Sequence, residues 1–147
     1  MPFDMLIVSY RKSKFDDINF YAVSMIDQPY SDSNILQQCF DLLKESITLI
    51  ERFPKSQRFL LGNRLQSFTS DLLELYIDAY YASDKKQKTK QLQQANLQLE
   101  KLRFFWRLAY EMRFLSSGQY RLLANTILQL GKMTGGWLKK LKRGRSS

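Results

Sequence analysis

The chain predicts an all-α protein: an up-down-up-down antiparallel four-helix bundle with an N-terminal extension of different character. Three observations point there. Leu, Gln, Lys, Arg and Glu, all good helix formers, dominate the middle and end of the sequence. Three prolines and six glycines are too few for the many tight turns of a β-sandwich. And apolar residues recur at three- and four-residue steps in four segments joined by short breakers. A length of 147 residues with 44% apolar content is one domain with enough chain to bury a core.

Residues 1–33 stand apart. "MLIVSY" and "INFYAVSMI" are short and rich in β-branched and aromatic residues, and "DQPYSDSN" is a turn-rich breaker. A short hairpin, an irregular arm and a poorly ordered extension fit equally. The bundle is expected over residues 34–141, with a basic tail at 142–147 that frays.

The first helix, "DSNILQQCFDLLKESITLIERF", has Asp32, Ser33 and Asn34 as N-cap options. Its stripe is Ile35, Cys39, Leu42, Ser46, Leu49 and Phe53, and Pro54 ends it. A second helix is expected from residues 54–56 to about 82, with Leu61, Leu65, Phe68, Leu72, Leu75, Tyr76 and Ala79 inward. Gly62 costs helix propensity there, which implies close approach of a neighbouring helix or subunit. "SDKKQKTK" reads as a solvated turn.

The third helix is expected over about 88–115. Its core stripe is Leu92, Ala95 (or Asn96), Leu99, Leu102, Trp106 and Ala109. Leu97, Phe104, Phe105 and Leu108 widen that stripe, the mark of a helix with a second apolar partner. "SSGQ" breaks it. The fourth helix, about 117–141, keeps the period with Tyr120, Leu123, Ile127, Leu130, Thr134, Trp137 and Leu141. Gly131, Gly135 and Gly136 either permit close helix packing or end the helix near Gly135. Trp106 and Trp137 lie on apolar stripes, so core or subunit packing is expected; stacking on bases would need them exposed beside arginines.

Charge is the strongest functional signal. The net charge is +9. Residues 1–33 carry three bases against five acids, a net of −2, which leaves +11 for residues 34–147. After Glu111 there is no acidic residue, while Arg113, Arg121, Lys132, Lys139, Lys140, Lys142, Arg143 and Arg145 follow. Arg52, Lys55, Arg58 and Arg64 crowd the first helix junction, and Arg103 and Arg107 are four apart on one helix. Such an excess points to a polyanion: RNA, DNA or an anionic membrane. The arginine fork donates two parallel hydrogen bonds and suits phosphate; salt bridges from Arg103 and Arg107 to Glu100 and Glu111 are the alternative.

Enzyme chemistry finds little support. The chain has no histidine, so the commonest general base and metal ligand is missing, and Glu-x-x-His di-iron pairs are impossible. One cysteine, Cys39, allows neither an internal disulfide nor a zinc cluster and fits a cytoplasmic setting. No phosphate-binding glycine loop is present. No catalytic residue, metal, cofactor or small-molecule substrate is expected. No apolar run reaches the ~20 residues of a membrane span.

Three stretches carry a family likeness. "LEKLRFFWRLAYEM" (99–112), "LGKMTGGWLKKLKRG" (130–144) and the Phe-Pro-x-x-x-Arg-Phe-x-Leu-Gly pattern from Phe53 to Gly62 resemble the accessory variability determinant family of diversity-generating retroelements. That family is similar to the four-helix proteins encoded in intervening sequences of bacterial large-subunit ribosomal RNA genes. The likeness covers roughly 34–143. It implies a four-helix bundle, a homopentamer with a basic surface, and an accessory role to the retroelement reverse transcriptase. In that role the protein binds the enzyme and template RNA for mutagenic retrohoming, in a bacterial, archaeal or phage-encoded setting. From their stripes and spacing, Gly62, Phe104, Phe105, Trp106, Gly131, Gly135 and Trp137 are expected in oligomer or helix packing, and the basic residues on the binding surface. Two other functions fit the residues: an intervening-sequence-type protein with a general nucleic-acid-binding role, and a membrane-surface protein anchored by "GGWLKKLKRGR".

Overall fold

The computed structural model of the chain describes residues 31–144, with side chains from Asn34 onward. The arm or hairpin expected over residues 1–33 lies outside the described residues, except that its last three positions already belong to the first helix. The final residues of the basic tail, 145–147, also lie outside them.

The first helix, α1, spans Ser31–Ile50, so the expected caps Asp32, Ser33 and Asn34 fall inside its first turn. The side chains of Asp32 and Ser33 lie outside the described residues. It also ends three residues before Phe53. The Arg52 N–H donates to the Leu49 carbonyl and the Phe53 N–H to that of Ile50, a tightened last turn that swings Phe53 into the core ahead of Pro54.

The second helix, α2, starts as an α-helical turn (Lys55–Gln57), widens into a π-helical turn (Arg58–Gly62) and continues as α-helix (Asn63–Tyr81). Gly62 sits at the end of the π turn. A Cβ there would stand 2.6 Å from Ile50 Cγ2 and 3.4 Å from the Gln57 carbonyl oxygen. The helix therefore lies against α1 at a distance only glycine fills without a shift.

The third helix, α3, spans Lys85–Glu111, one turn earlier at both ends than the apolar stripe predicted. Asp84 explains the start: its carboxylate accepts the Lys86 N–H at 3.1 Å. Lys88 follows from the side, its Nζ donating to the Ala79 and Tyr80 carbonyls at the end of α2. At the other end the Phe114 N–H bonds the Ala109 carbonyl and the Arg113 N–H that of Tyr110, a Schellman closure. Its left-handed position, φ 64°, belongs to Arg113 and not to a glycine.

The fourth helix, α4, spans Ser117–Arg143. "SSGQ" is more than a breaker: Ser116 and Gln119 form a reciprocal capping box, each side chain taking the other's backbone N–H. The helix passes through Gly131, Gly135 and Gly136 without ending, as the expected run to about residue 141 requires and against the alternative of a stop near Gly135, and includes Lys142 and Arg143 of the expected tail.

Neighbouring helices pack in the ring α1–α2–α3–α4–α1, the square arrangement of an antiparallel up-down-up-down bundle. One end gathers the α1–α2 and α3–α4 junctions, where Phe53 packs on Phe114 at 5.4 Å between centroids. The opposite end holds the α2–α3 junction and the end of α4. The predicted stripes are the core: Ile35, Cys39, Leu42, Leu65, Leu72, Leu92, Leu102, Leu123, Ile127 and Leu130 are buried almost completely. Ala95, not Asn96, takes the inward place on α3. Phe68, Leu75, Tyr120 and Leu141 lie at its margin.

Two buried hydroxyls in the core, those of Tyr76 and Thr134, are satisfied in a chain. Thr134 Oγ1 donates to the Leu130 carbonyl at 2.7 Å, so Tyr76 is the donor in their 2.8 Å contact. Burial raises the Tyr76 pKa, and pushes that of the Cys39 thiol up to about 12. One buried side-chain donor, Trp106 Nε1, has no partner among the described residues. No described helix is long and apolar enough to cross a membrane.

Candidate nucleic-acid interface

The helices carry most of the basic residues toward the two ends of the bundle. At about 1.5 Å per residue, the 27-residue α3 and α4 hold those ends about 40 Å apart.

The junction end carries Arg52, Lys55, Arg58 and Arg64 from the α1–α2 side and Arg107, Arg113 and Arg121 from the α3–α4 side, all exposed. Arg58 is held in place by its Nε–H donating to the Phe53 carbonyl at 3.0 Å, which braces the corner while the rest of its guanidinium stays available. Arg64 lies over the Phe68 ring, 5.7 Å from the centroid. Arg52, Lys55, Arg113 and Arg121 have no ion-pair partner among the described residues.

Arg103 and Arg107 are paired instead. Arg103 bonds Glu100 and Arg107 bonds Glu111, each at 2.9 Å. Both pairs are more than half exposed, and such helix-surface bridges contribute only about 0.3–0.5 kcal/mol. A phosphate can exchange for either carboxylate at small cost. Between them, Glu100, Arg103, Phe104, Arg107 and Tyr120 line a 340 Å³ hollow along the α3–α4 seam. Tyr120 stacks flat on Tyr110, centroids 4.6 Å apart, and Phe104 is 65% exposed. Exposed rings beside arginines can accept a base and its phosphate together.

The opposite end carries Lys139, Lys140, Lys142 and Arg143 from α4, with Lys132 three turns back from the end of α4. The fold adds Lys85, Lys86 and Lys90: the segment expected to be a solvated turn forms the first turns of α3 instead. Lys85 Nζ would lie 2.6 Å from a Cβ on Gly144, so the two basic segments meet. The signal "KKQKTK" was in the sequence; its nearness to the α4 terminus was not.

The packing candidates divide. Trp106 and Trp137 are 1% and 6% exposed, so neither is a stacking platform. Phe105 is half-buried, edge-on to Phe68 at 5.0 Å, while Phe104 points outward. Gly62 is packed against α1. A Cβ on Gly131, Gly135 or Gly136 would meet nothing within 4 Å, so these glycines do not serve close helix packing inside this chain, contrary to that expectation. Among the described residues no group of three or more His, Cys, Asp or Glu could hold a metal.

A family model described as bAvd-like matches residues 33–141. The chain belongs to the bAvd-like family. This is the accessory variability determinant family that the three sequence stretches resemble, and the match begins within the first turn of α1 and ends two residues before α4 does. The bAvd-like chain is also similar to the crystal structure of a protein of unknown function from the S23 ribosomal protein family of Bacteroides thetaiotaomicron VPI-5482. The TM-score is 0.69 at 13% identity, over 75% of this chain and 99% of that one. At that identity the likeness concerns the fold. No curated protein matches the chain.

Proposed function

We propose that this bAvd-like protein is a non-catalytic accessory subunit of a retroelement reverse transcriptase, binding the enzyme and its template RNA through its basic ends. What supports it is the family match together with unpaired Arg52, Lys55, Arg113 and Arg121 at one end of the bundle. Phosphate contacts from such residues are electrostatic, so RNA binding is strongly salt-dependent and weakly sequence-specific. A closed homopentamer would present five copies of each basic end to one RNA, and avidity would follow without new contacts. Reverse transcription itself belongs to the enzyme, and the setting is cytoplasmic.

Co-expression with a reverse transcriptase from the same retroelement tests the role. The enzyme is expected to copurify and to make more cDNA with the protein than without it. No complex and no change in cDNA would refute it. Light scattering tests the oligomer: a monomer mass at micromolar concentration counts against the pentamer.

A second role is compatible with the same fold and basic surface: a general nucleic-acid-binding protein of the ribosomal intervening-sequence type. A reading frame embedded in a ribosomal RNA gene, with no reverse transcriptase beside it, would favour this one.

A further inference from the structure

One largely exposed apolar surface lies beside the basic junction end. A 600 Å³ groove runs between the start of α2 and the end of α3, walled by Phe59, Leu60, Leu108, Met112 and Phe114. Phe59 and Leu60 are 68% and 65% exposed, and Met112 is 55% exposed.

Two backbone irregularities build it. The π turn at Arg58–Gly62 turns Leu61 inward and leaves its neighbours Phe59 and Leu60 both outward. At the other wall the left-handed Arg113 closes α3, and Phe114 turns back over Phe53 to border the groove. Neither feature is the cheapest way to continue or end a helix, and departures of this kind concentrate at functional sites.

The groove's charge is one-sided. Arg64 is the charged residue in its lining, and no carboxylate lines it. Arg64 and Lys101 flank the Phe68 ring at its lower end, at 5.7 and 5.9 Å. Arg113 stands between the two lining residues Met112 and Phe114 at its upper end. From Gln57 to Ser67 the α2 wall is about 15 Å long, two to three turns of helix. A channel between two helices with an apolar floor suits the apolar face of a third.

We propose that this groove docks an amphipathic helix of a partner protein, two to three turns long, with acidic residues flanking its apolar face. The proposal stands on the groove alone and does not depend on RNA binding.

Two labelled synthetic helical peptides of about four turns test it, with apolar residues at i, i+3, i+4 and i+7. One carries glutamates at its other positions and the other lysines. By fluorescence anisotropy against the full chain, the glutamate peptide binds and weakens with salt, and the lysine peptide binds at least about tenfold more weakly. Leu60→Glu and Leu108→Glu each weaken the glutamate peptide by about tenfold or more. Leu122→Glu, on α4 with an exposure between those of Leu60 and Leu108, leaves binding unchanged; circular dichroism melts verify that all three fold. No binding of the glutamate peptide, equal binding of both peptides, or indifference to the groove variants overturns the proposal. So does a drop in oligomer mass with Leu108→Glu, which would make the groove a contact between copies. Loss of binding to phosphatidylserine vesicles with Leu60→Glu would make it a membrane contact, and also overturns it.

Discussion

Replacing Gly62 with alanine tests the closest contact in the fold. In a free helix the change would stabilise by about 1 kcal/mol, because alanine has the better propensity. Here the new Cβ meets Ile50 Cγ2 at 2.6 Å, well inside ordinary contact. Ile50 is 3% exposed and β-branched, so its methyl has little room to rotate away. Overpacking of this kind costs about 1–3 kcal/mol, which outweighs the propensity gain. The net expectation is destabilisation by roughly 1 kcal/mol, a fall of about 3–5 °C in melting temperature for a domain of this size. Gly136→Ala is the matched control. It is helical, exposed and without a neighbour within 4 Å, so it is expected to stabilise by about 0.5–1 kcal/mol. Urea melts of both variants, and of Gly62→Ala combined with Ile50→Ala, measure the difference. The double variant is expected to be less destabilised than the sum of the singles, because Ile50→Ala removes the clashing methyl. Stabilisation by Gly62→Ala equal to that by Gly136→Ala would refute the close packing of α1 on α2.

Other changes probe the junctions and the core. Arg113→Gly removes a side chain from a left-handed position and is expected to raise stability by about 1 kcal/mol while weakening RNA binding, measured by urea melt and gel retardation; lower stability would contradict the Schellman closure. Thr134→Val leaves the Tyr76 hydroxyl without its buried acceptor and is expected to cost about 1–3 kcal/mol; a neutral effect would contradict the hydrogen-bond chain. The Cys39 thiol predicts alkaline sensitivity. Its folded pKa lies above the ordinary 9.0, at about 12, so its full contribution is present below pH 9. As pH rises from 9 toward 12 the unfolded chain loses the thiol proton first, and stability falls by about 1.4 kcal/mol per pH unit. Between pH 9 and 10 Cys39→Ala is expected to lose that slope; an unchanged slope would place the sensitivity elsewhere.

Much of the fold is legible in the sequence because a four-helix core is written in local periodicity. Ile35 to Phe53, Leu92 to Ala109 and Leu123 to Trp137 each mark one buried stripe without help from distant residues. The ends were harder, because caps act through single side chains. Asp84 starts α3 ahead of its first apolar residue, and Arg113 ends it in a conformation usually read from glycine. The π turn is invisible to a 3.6-residue period, which is why Phe59 and Leu60 look like ordinary helix positions until they face outward together. The basic residues themselves are plain in the sequence. Their division between two ends depends on helix length and topology, and so does the meeting of "KKQKTK" with the end of α4.

Unpaired bases at the junction end of this bundle are expected to hold RNA by its phosphates. The most direct measurement is the affinity for a structured RNA as a function of salt, for the wild type and for Arg52→Glu/Lys55→Glu/Arg121→Glu. With three or more phosphates engaged, log K against log salt is expected to fall with a slope of about −2 or steeper, and the triple variant to bind more weakly with a shallower slope. Affinity unchanged up to about 0.5 M salt, or a triple variant with the wild-type slope, would contradict it.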